Sequence, residues 1–177
     1  MAQLWLSMDI SDNMVKQQLA YYQNILKHKM TGDWEDPNDF HVTVDFLGED
    51  ETDFEKVVEG MKLFEKQNKC FNQYVFASGV NRFPQGALWI GVNSSFKLYQ
   101  ARYQLEECFN RVGYQKAPSK FKGYTPHITM AYDASQNIPD INVHGIAIPF
   151  DNITLWNSFK VNGQYVDNVL FKIKLWR

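Results

Sequence analysis

Two short stretches of this chain, FHVTVDF at 40–46 and PHITMAY at 126–132, carry the triplet His-x-Thr inside a run that alternates with the period of a β-strand. A period of two sends successive side chains to opposite faces of a sheet. In the first stretch this places His41, Thr43 and Asp45 on one face and Phe40, Val42, Val44 and Phe46 on the other. The same count puts His127, Thr129 and Ala131 together, with Ile128, Met130 and Tyr132 opposite. The apolar face packs into the body of the protein. The other face of each strand then offers an imidazole and a hydroxyl about 6.5–7 Å apart at their Cα atoms.

The surrounding sequence supplies elements for these strands to pack on. Gln3–Asp9 alternates Leu4, Leu6 and Met8 against Gln3, Trp5 and Ser7, a half-buried strand. Ser11 reads as an N-cap for an amphipathic helix from Asp12 to about His28, with Met14, Val15, Leu19, Tyr22 and Leu26 at helical spacing. A polar turn, TGDWEDPND, leads to the first His-x-Thr strand. Thr52 and Glu55 have capping-box spacing before a second helix with Phe54, Val57, Val58, Met61 and Phe64 on one face. QYVFASGV and ALWIGV read as a hairpin turned by NRFPQG. A third helix begins near Ser94 or Ser95, shows Leu98, Ala101, Leu105, Cys108, Phe109 and Val112 on one face, and stops at Gly113. The basic loop QKAPSKFKG delivers the second His-x-Thr strand, and NITLWNSFKV and YVDNVLFKIKL are strand-like. The class is α+β: helices set among mostly antiparallel strands, with residues 1–177 forming one domain of two similar lobes. Each lobe has a helix followed by a strand that begins with histidine.

Charge narrows the range of partners. Eighteen basic residues against twenty acidic leave a formal net charge of -2, which gives no long-range attraction for a polyanion. Phosphate binding must then be local, in a pocket reading one phosphate and one or two bases. No stretch nears the roughly 20 apolar residues of a membrane span, and the first residues lack the basic start of a secretion signal. Cys70 and Cys108, far apart and without a CxxC partner, read as thiols of a reducing cytoplasm.

Two histidines and two threonines suit phosphodiester chemistry without a metal. One imidazole activates water, the other protonates the leaving oxygen, and hydroxyls hold the non-bridging oxygens without adding charge. Imidazole titrates near neutrality, so one copy can be neutral and the other protonated at the same pH. One His-x-Thr triplet would be ordinary; two, using half of the chain's four histidines, are a pattern. A metal site is not expected, since no HExxH, carboxylate cluster or cysteine pair accompanies them.

In HVTVDFLGE, NRFPQGALWIGV, FKGYTPHITMAYD and ITLWNSFKVNGQY the chain resembles the 2H phosphoesterases, and among them the LigT-like RNA 2',3'-cyclic phosphodiesterases, in motif, order and spacing over nearly its whole length. The resemblance implies a bilobal fold of two antiparallel sheets flanked by helices, with both His-x-Thr strands lining a central cleft. It implies His41 as general acid beside the departing 3' oxygen, His127 as general base, Thr43 and Thr129 as phosphate ligands, a 2'-phosphate product and no cofactor. One position departs: LigT-like members commonly carry an arginine shortly after the second motif, where this chain has Tyr132 and Asp133.

The expected substrate is an RNA end with a 2',3'-cyclic phosphate or a small cyclic nucleotide. A cyclic dinucleotide, a 2',5'-oligoadenylate and a non-catalytic nucleotide or RNA-end binding module are the alternatives, and no obligate protein partner is evident. Lys120 and Lys122 are candidate phosphate contacts, as against a solvated basic loop. Arg82 and Phe83 are candidate contacts to phosphate and base, as against turn anchors. Trp34 either walls the pocket or closes a loop over the core. His28 and His144 are assigned to neither site nor ligand.

Overall fold

The structure is a computed structural model that describes residues 3–48, 53–68, 73–93, 95–116, 123–143, 145–162 and 164–175. Thr52, Cys70, Lys120, Lys122 and His144 lie outside these residues, and with them the capping box and the two lysine contacts. In chain order the strands are β1 (Gln3–Asp9), β2 (Asp33–Trp34), β3 (His41–Gly48), β4 (Tyr74–Arg82), β5 (Leu88–Asn93), β6 (His127–Tyr132), β7 (Ile146–Pro149), β8 (Asn152–Val161) and β9 (Gln164–Lys174). The helices are α1 (Asn13–Lys27), α2 (Phe54–Gln67) and α3 (Ser95–Arg111).

All nine strands belong to one antiparallel sheet in the order β7-β4-β5-β6-β3-β1-β8-β9, with β2 added to β6. The two expected sheets are its halves. They meet at a single bridging pair, Val42 opposite Ile128, between β3 and β6. The halves repeat one plan, β1-α1-β3 against β5-α3-β6, each strand pair antiparallel and split by a helix.

The helices cover one face and enclose the core. Leu6, Met8, Leu19, Val42, Val44, Met61, Phe64, Ile90, Ile128 and Met130 are all fully buried there. Helix α2 lies so close to α3 that a Cβ on Gly60 would stand 2.4 Å from the Phe109 ring, so only glycine fits. Helix α1 is capped by Asp12, whose Oδ1 accepts from the backbone N–H groups of Met14 and Val15. The expected cap, Ser11, instead donates to Asp151 at 3.2 Å, which moves the start one residue on. The stretch expected to be a plain polar turn contains β2 and a 3-10 turn at Pro37–Asp39, and β4 runs through Arg82 before the hairpin turns.

The sheet is strongly curled. Four strand spacings separate β6 from β9, about 19 Å if flat, yet the charge of Asp167 on β9 bears on both Glu35, just past β2, and Tyr132 on β6. Curling brings the far edge round toward the seam and makes the uncovered face concave.

Candidate active site

The seam decides what faces the hollow. Val42 and Ile128 point into the core, so their neighbours His41, Thr43, His127 and Thr129 all turn to the concave side. In a regular antiparallel ladder His41 stands opposite Thr129, Thr43 opposite His127, and the two histidines on the diagonal, about 7–8 Å apart at Cα. Each imidazole is half-buried and is held in the same way. His41 Nδ1–H donates to the Asp39 carbonyl at 2.8 Å, and His127 Nδ1–H donates to the Thr125 carbonyl at 2.7 Å. A carbonyl only accepts, so in both rings Nδ1 carries the hydrogen and Nε2 is left for chemistry.

An aromatic ring backs each histidine. Trp5 stands 5.0 Å from His41, and the Phe83 ring meets His127 edge-on, also at 5.0 Å. Burial lowers the pKa of His127, and the nearby charge of His41 lowers it further against the pull of the Thr125 carbonyl. The neutral form of His127 is thereby favoured relative to a free imidazole.

Both His-x-Thr strands carry a β-bulge three residues past the histidine. On β3, Asp45 pairs with Leu6 and Thr43 with Ser7, leaving Val44 out; on β6, Ala131 pairs with Leu88 and Thr129 with Trp89, leaving Met130 out. The extra residue reverses the alternation beyond it. Asp45 and Ala131, expected on the histidine face, turn to the helix side, while Phe46 and Tyr132, expected opposite, turn to the hollow.

On the helix side Asp45 binds Arg102 of α3 and Lys116, each at 2.7 Å. The Arg102 guanidinium lies 4.3 Å from the centre of the Tyr124 ring. The Tyr124 hydroxyl donates to the Thr43 carbonyl at 2.9 Å. This chain of contacts ties the strand of His41 to the segment that delivers His127. Burial pushes the Tyr124 hydroxyl well above the usual phenol range, against the pull of the Arg102 charge.

A polar network that sequence reasoning missed adjoins His41 on the concave face. Asp9, opposite His41, accepts from Ser7 and Thr154, each at 2.5 Å, and from Lys172 at 2.8 Å. Trp156 donates to Ser7 at 2.7 Å and stacks on Trp5 at 5.4 Å. Burial alone would raise the Asp9 carboxyl, but Lys172, Ser7 and Thr154 outweigh it and hold it low. The polar partners alternate along β1 and β8, a visible signal, but their meeting depends on register.

The remaining candidates separate. Phe83 joins the site against His127. Arg82 serves the turn: its Nε donates to the Ala134 carbonyl at 2.9 Å. Trp34 pairs with Ala131, packs on the core side and sits under Lys27 of α1, 5.6 Å from its ring centre, which takes it away from the histidine face. Its neighbour Glu35 takes the concave side instead. Among the described residues no group of three or more His, Cys, Asp or Glu is placed to hold a metal ion, and no helix is long and apolar enough to cross a membrane.

The sequence model of the 2'-5' RNA ligase superfamily matches residues 14–151, a span containing both His-x-Thr strands. Among solved structures the chain is similar to a protein of Thermus thermophilus, with TM-score 0.77 and 18% identity over 98% of this chain and 97% of that one. It is also similar to E. coli LigT complexed with 3'-AMP, with TM-score 0.71 and 20% identity over 97% of each. The MHV ns2 PDE domain matches with TM-score 0.67 and 12% identity over 98% of this chain and 99% of that one. At such identities the likeness is one of fold. No curated protein matches the sequence at a significant level.

Proposed function

Because the chain belongs to the 2'-5' RNA ligase superfamily, the 2H phosphoesterases, we propose that it hydrolyses a 2',3'-cyclic phosphate, on an RNA end or a nucleotide, to a 2'-phosphate. The observation that carries this reading is the shared orientation of four side chains about the Val42–Ile128 pair, with both imidazoles fixed through Nδ1. Two Nε2 atoms and two hydroxyls then address one small volume, which is what an in-line displacement at phosphorus requires.

The roles follow the family pattern, and burial supports one half of it. His127, whose neutral form burial favours, presents an Nε2 lone pair and removes a proton from water as the water attacks phosphorus. His41, as the acid, donates its Nε2 hydrogen to the 3' oxygen as the P–O3' bond breaks. Thr43 and Thr129 donate to the non-bridging oxygens and steady the added negative charge. Phe83, beside His127, and Trp156, stacked on Trp5, flank the pair as surfaces for a base. E. coli LigT has been solved with 3'-AMP, ATP, NADP+ and phosphate, which supports a hollow of nucleotide size here.

The test is turnover of 2',3'-cyclic AMP with and without EDTA. We expect a bell-shaped rate against pH, no effect of the chelator, and a loss of about 10²–10⁴-fold in kcat for His127→Ala and for His41→Ala. Full activity of either variant, or abolition by EDTA, would overturn the reading. A panel of RNA ends, cyclic dinucleotides and 2',5'-oligoadenylate then ranks the substrates, and stoichiometric capture without turnover marks a binding module.

A further inference from the structure

The bulge at Met130 leaves one side chain on the concave face that the reaction above does not use. Tyr132 is half exposed, and the side chains of Thr129 and Glu35 lie on either side of its hydroxyl. The arrangement is rigidly built. Asp33 and Trp34 pair with Tyr132 and Ala131, and the Glu35 N–H donates to the Met130 carbonyl at 3.1 Å. The buried amide of Gln23 on α1 donates to the Glu35 carbonyl at 2.7 Å and to the Met130 carbonyl at 3.0 Å, locking the bulge against β2. Thr129 and Tyr132 are successive hydroxyls on that face of β6.

We propose that Tyr132 is a further substrate-binding donor of this site, aimed at a phosphate oxygen shared with Thr129, and that Glu35 is the positioning residue that sets the direction of its hydroxyl hydrogen. When Glu35 carries its proton, its O–H donates to the Tyr132 oxygen, and the Tyr132 hydrogen turns to the phosphate. When Glu35 is ionised, the carboxylate accepts that hydrogen and its charge opposes the phosphate anion. The charged groups around Glu35 favour the first state: Asp33 and Asp36 on its own segment, Asp39 in the 3-10 turn and Asp167 from β9. Burial is the largest cause, and together they push the Glu35 carboxyl up to about 7, so that it is still half protonated at neutrality. A neutral acid thus backs a neutral donor.

The inference rests on the reading that this hollow binds phosphate, and two readouts keep the two apart: kcat/KM for 2',3'-cyclic AMP, and the affinity for inorganic phosphate by calorimetry. Tyr132→Phe, at a half-exposed position, should keep the wild-type melting temperature. It should weaken phosphate binding near pH 6 by about 10–100-fold, the usual contribution of a hydrogen bond to a charged group. Glu35→Gln keeps a donor toward Tyr132 at every pH. The ratio of its phosphate affinity to that of wild type should start near one at about pH 5.5 and rise roughly tenfold by about pH 8.5, since a charge is then missing beside an anion. The titrations of phosphate and of the two histidines cancel in that ratio. When Glu35→Gln is made in a Tyr132→Phe background, the rise should shrink to the part that the missing charge alone explains. A flat ratio, or wild-type phosphate binding by Tyr132→Phe, overturns the inference even if cyclic AMP is turned over. Both phosphate signatures without turnover uphold it and overturn the hydrolase.

Discussion

A backbone carbonyl two residues upstream holds Nδ1 of both His41 and His127, so geometry makes the two imidazoles alike and electrostatics makes them different. Burial and the His41 charge lower His127. In the folded chain His127 therefore binds fewer protons than in the unfolded chain; its contribution to stability is present above pH 6.5 and is lost as pH falls below that value. Glu35 has the opposite sign. Raised from 4.5 to about 7, it contributes stability below about pH 4.5 that is lost as pH rises through about 7. Replacing it by Gln should thus leave the melting temperature unchanged at about pH 4. At about pH 8 it should raise stability by about 1–2 kcal/mol after discounting for partial exposure, roughly 3–6 °C for a chain of this size. Calorimetric scans at the two pH values check this; an equal shift at both would contradict the assigned environment.

At the scale of elements, strand alternation makes the His-Thr faces legible, since period two survives as far as the first irregularity. A bulge inserts one residue without any residue type that announces it, and both bulges fall directly after the triplets. This is why alternation alone puts Asp45 and Ala131 on the wrong face and Tyr132 on the wrong side of its strand. It is also why Glu35, hidden in a polar turn, is invisible to sequence reasoning: β2 is two residues long and exists only because β6 offers it an edge. The displaced Asp45 gains a role in exchange. Through Arg102 it steadies the Tyr124 ring, and Tyr124 bonds the Thr43 carbonyl. Tyr124→Phe should cost about 1 kcal/mol, one neutral hydrogen bond, and lower the melting temperature by roughly 2–4 °C. It should also reduce kcat more than it changes KM, because the segment it anchors contains Thr125, whose carbonyl orients His127. Steady-state kinetics beside a thermal melt tests this; a fall in stability with kcat intact would reduce the contact to packing.

For the whole molecule, composition foretells the electrostatics better than the architecture. The net charge of -2 argues against a polyanion track, and the fold concentrates Glu35 and Asp167 on opposite walls of the hollow while Lys172 is held by Asp9. An anionic substrate thus meets weak repulsion at the entrance. Raising ionic strength from about 0.02 to 0.2 M should increase kcat/KM for 2',3'-cyclic AMP about two- to threefold, the reverse of a protein that gains affinity by releasing counterions from nucleic acid. A steep fall with salt would contradict this and point to basic contacts in the 117–122 segment. Curling of the sheet is not legible in the sequence, because it arises from pairings between strands far apart along the chain.

At the seam β3 and β6 share one rung of backbone, Val42 with Ile128; the strands of the two histidines are tied besides by β2 lying on β6, by Tyr124 on the Thr43 carbonyl, and behind the sheet by the Asp45 contacts. The spacing of acid and base thus depends in part on a carboxylate out of the substrate's reach, and lengthening it by one methylene in Asp45→Glu should shift that spacing without altering any surface the phosphate meets.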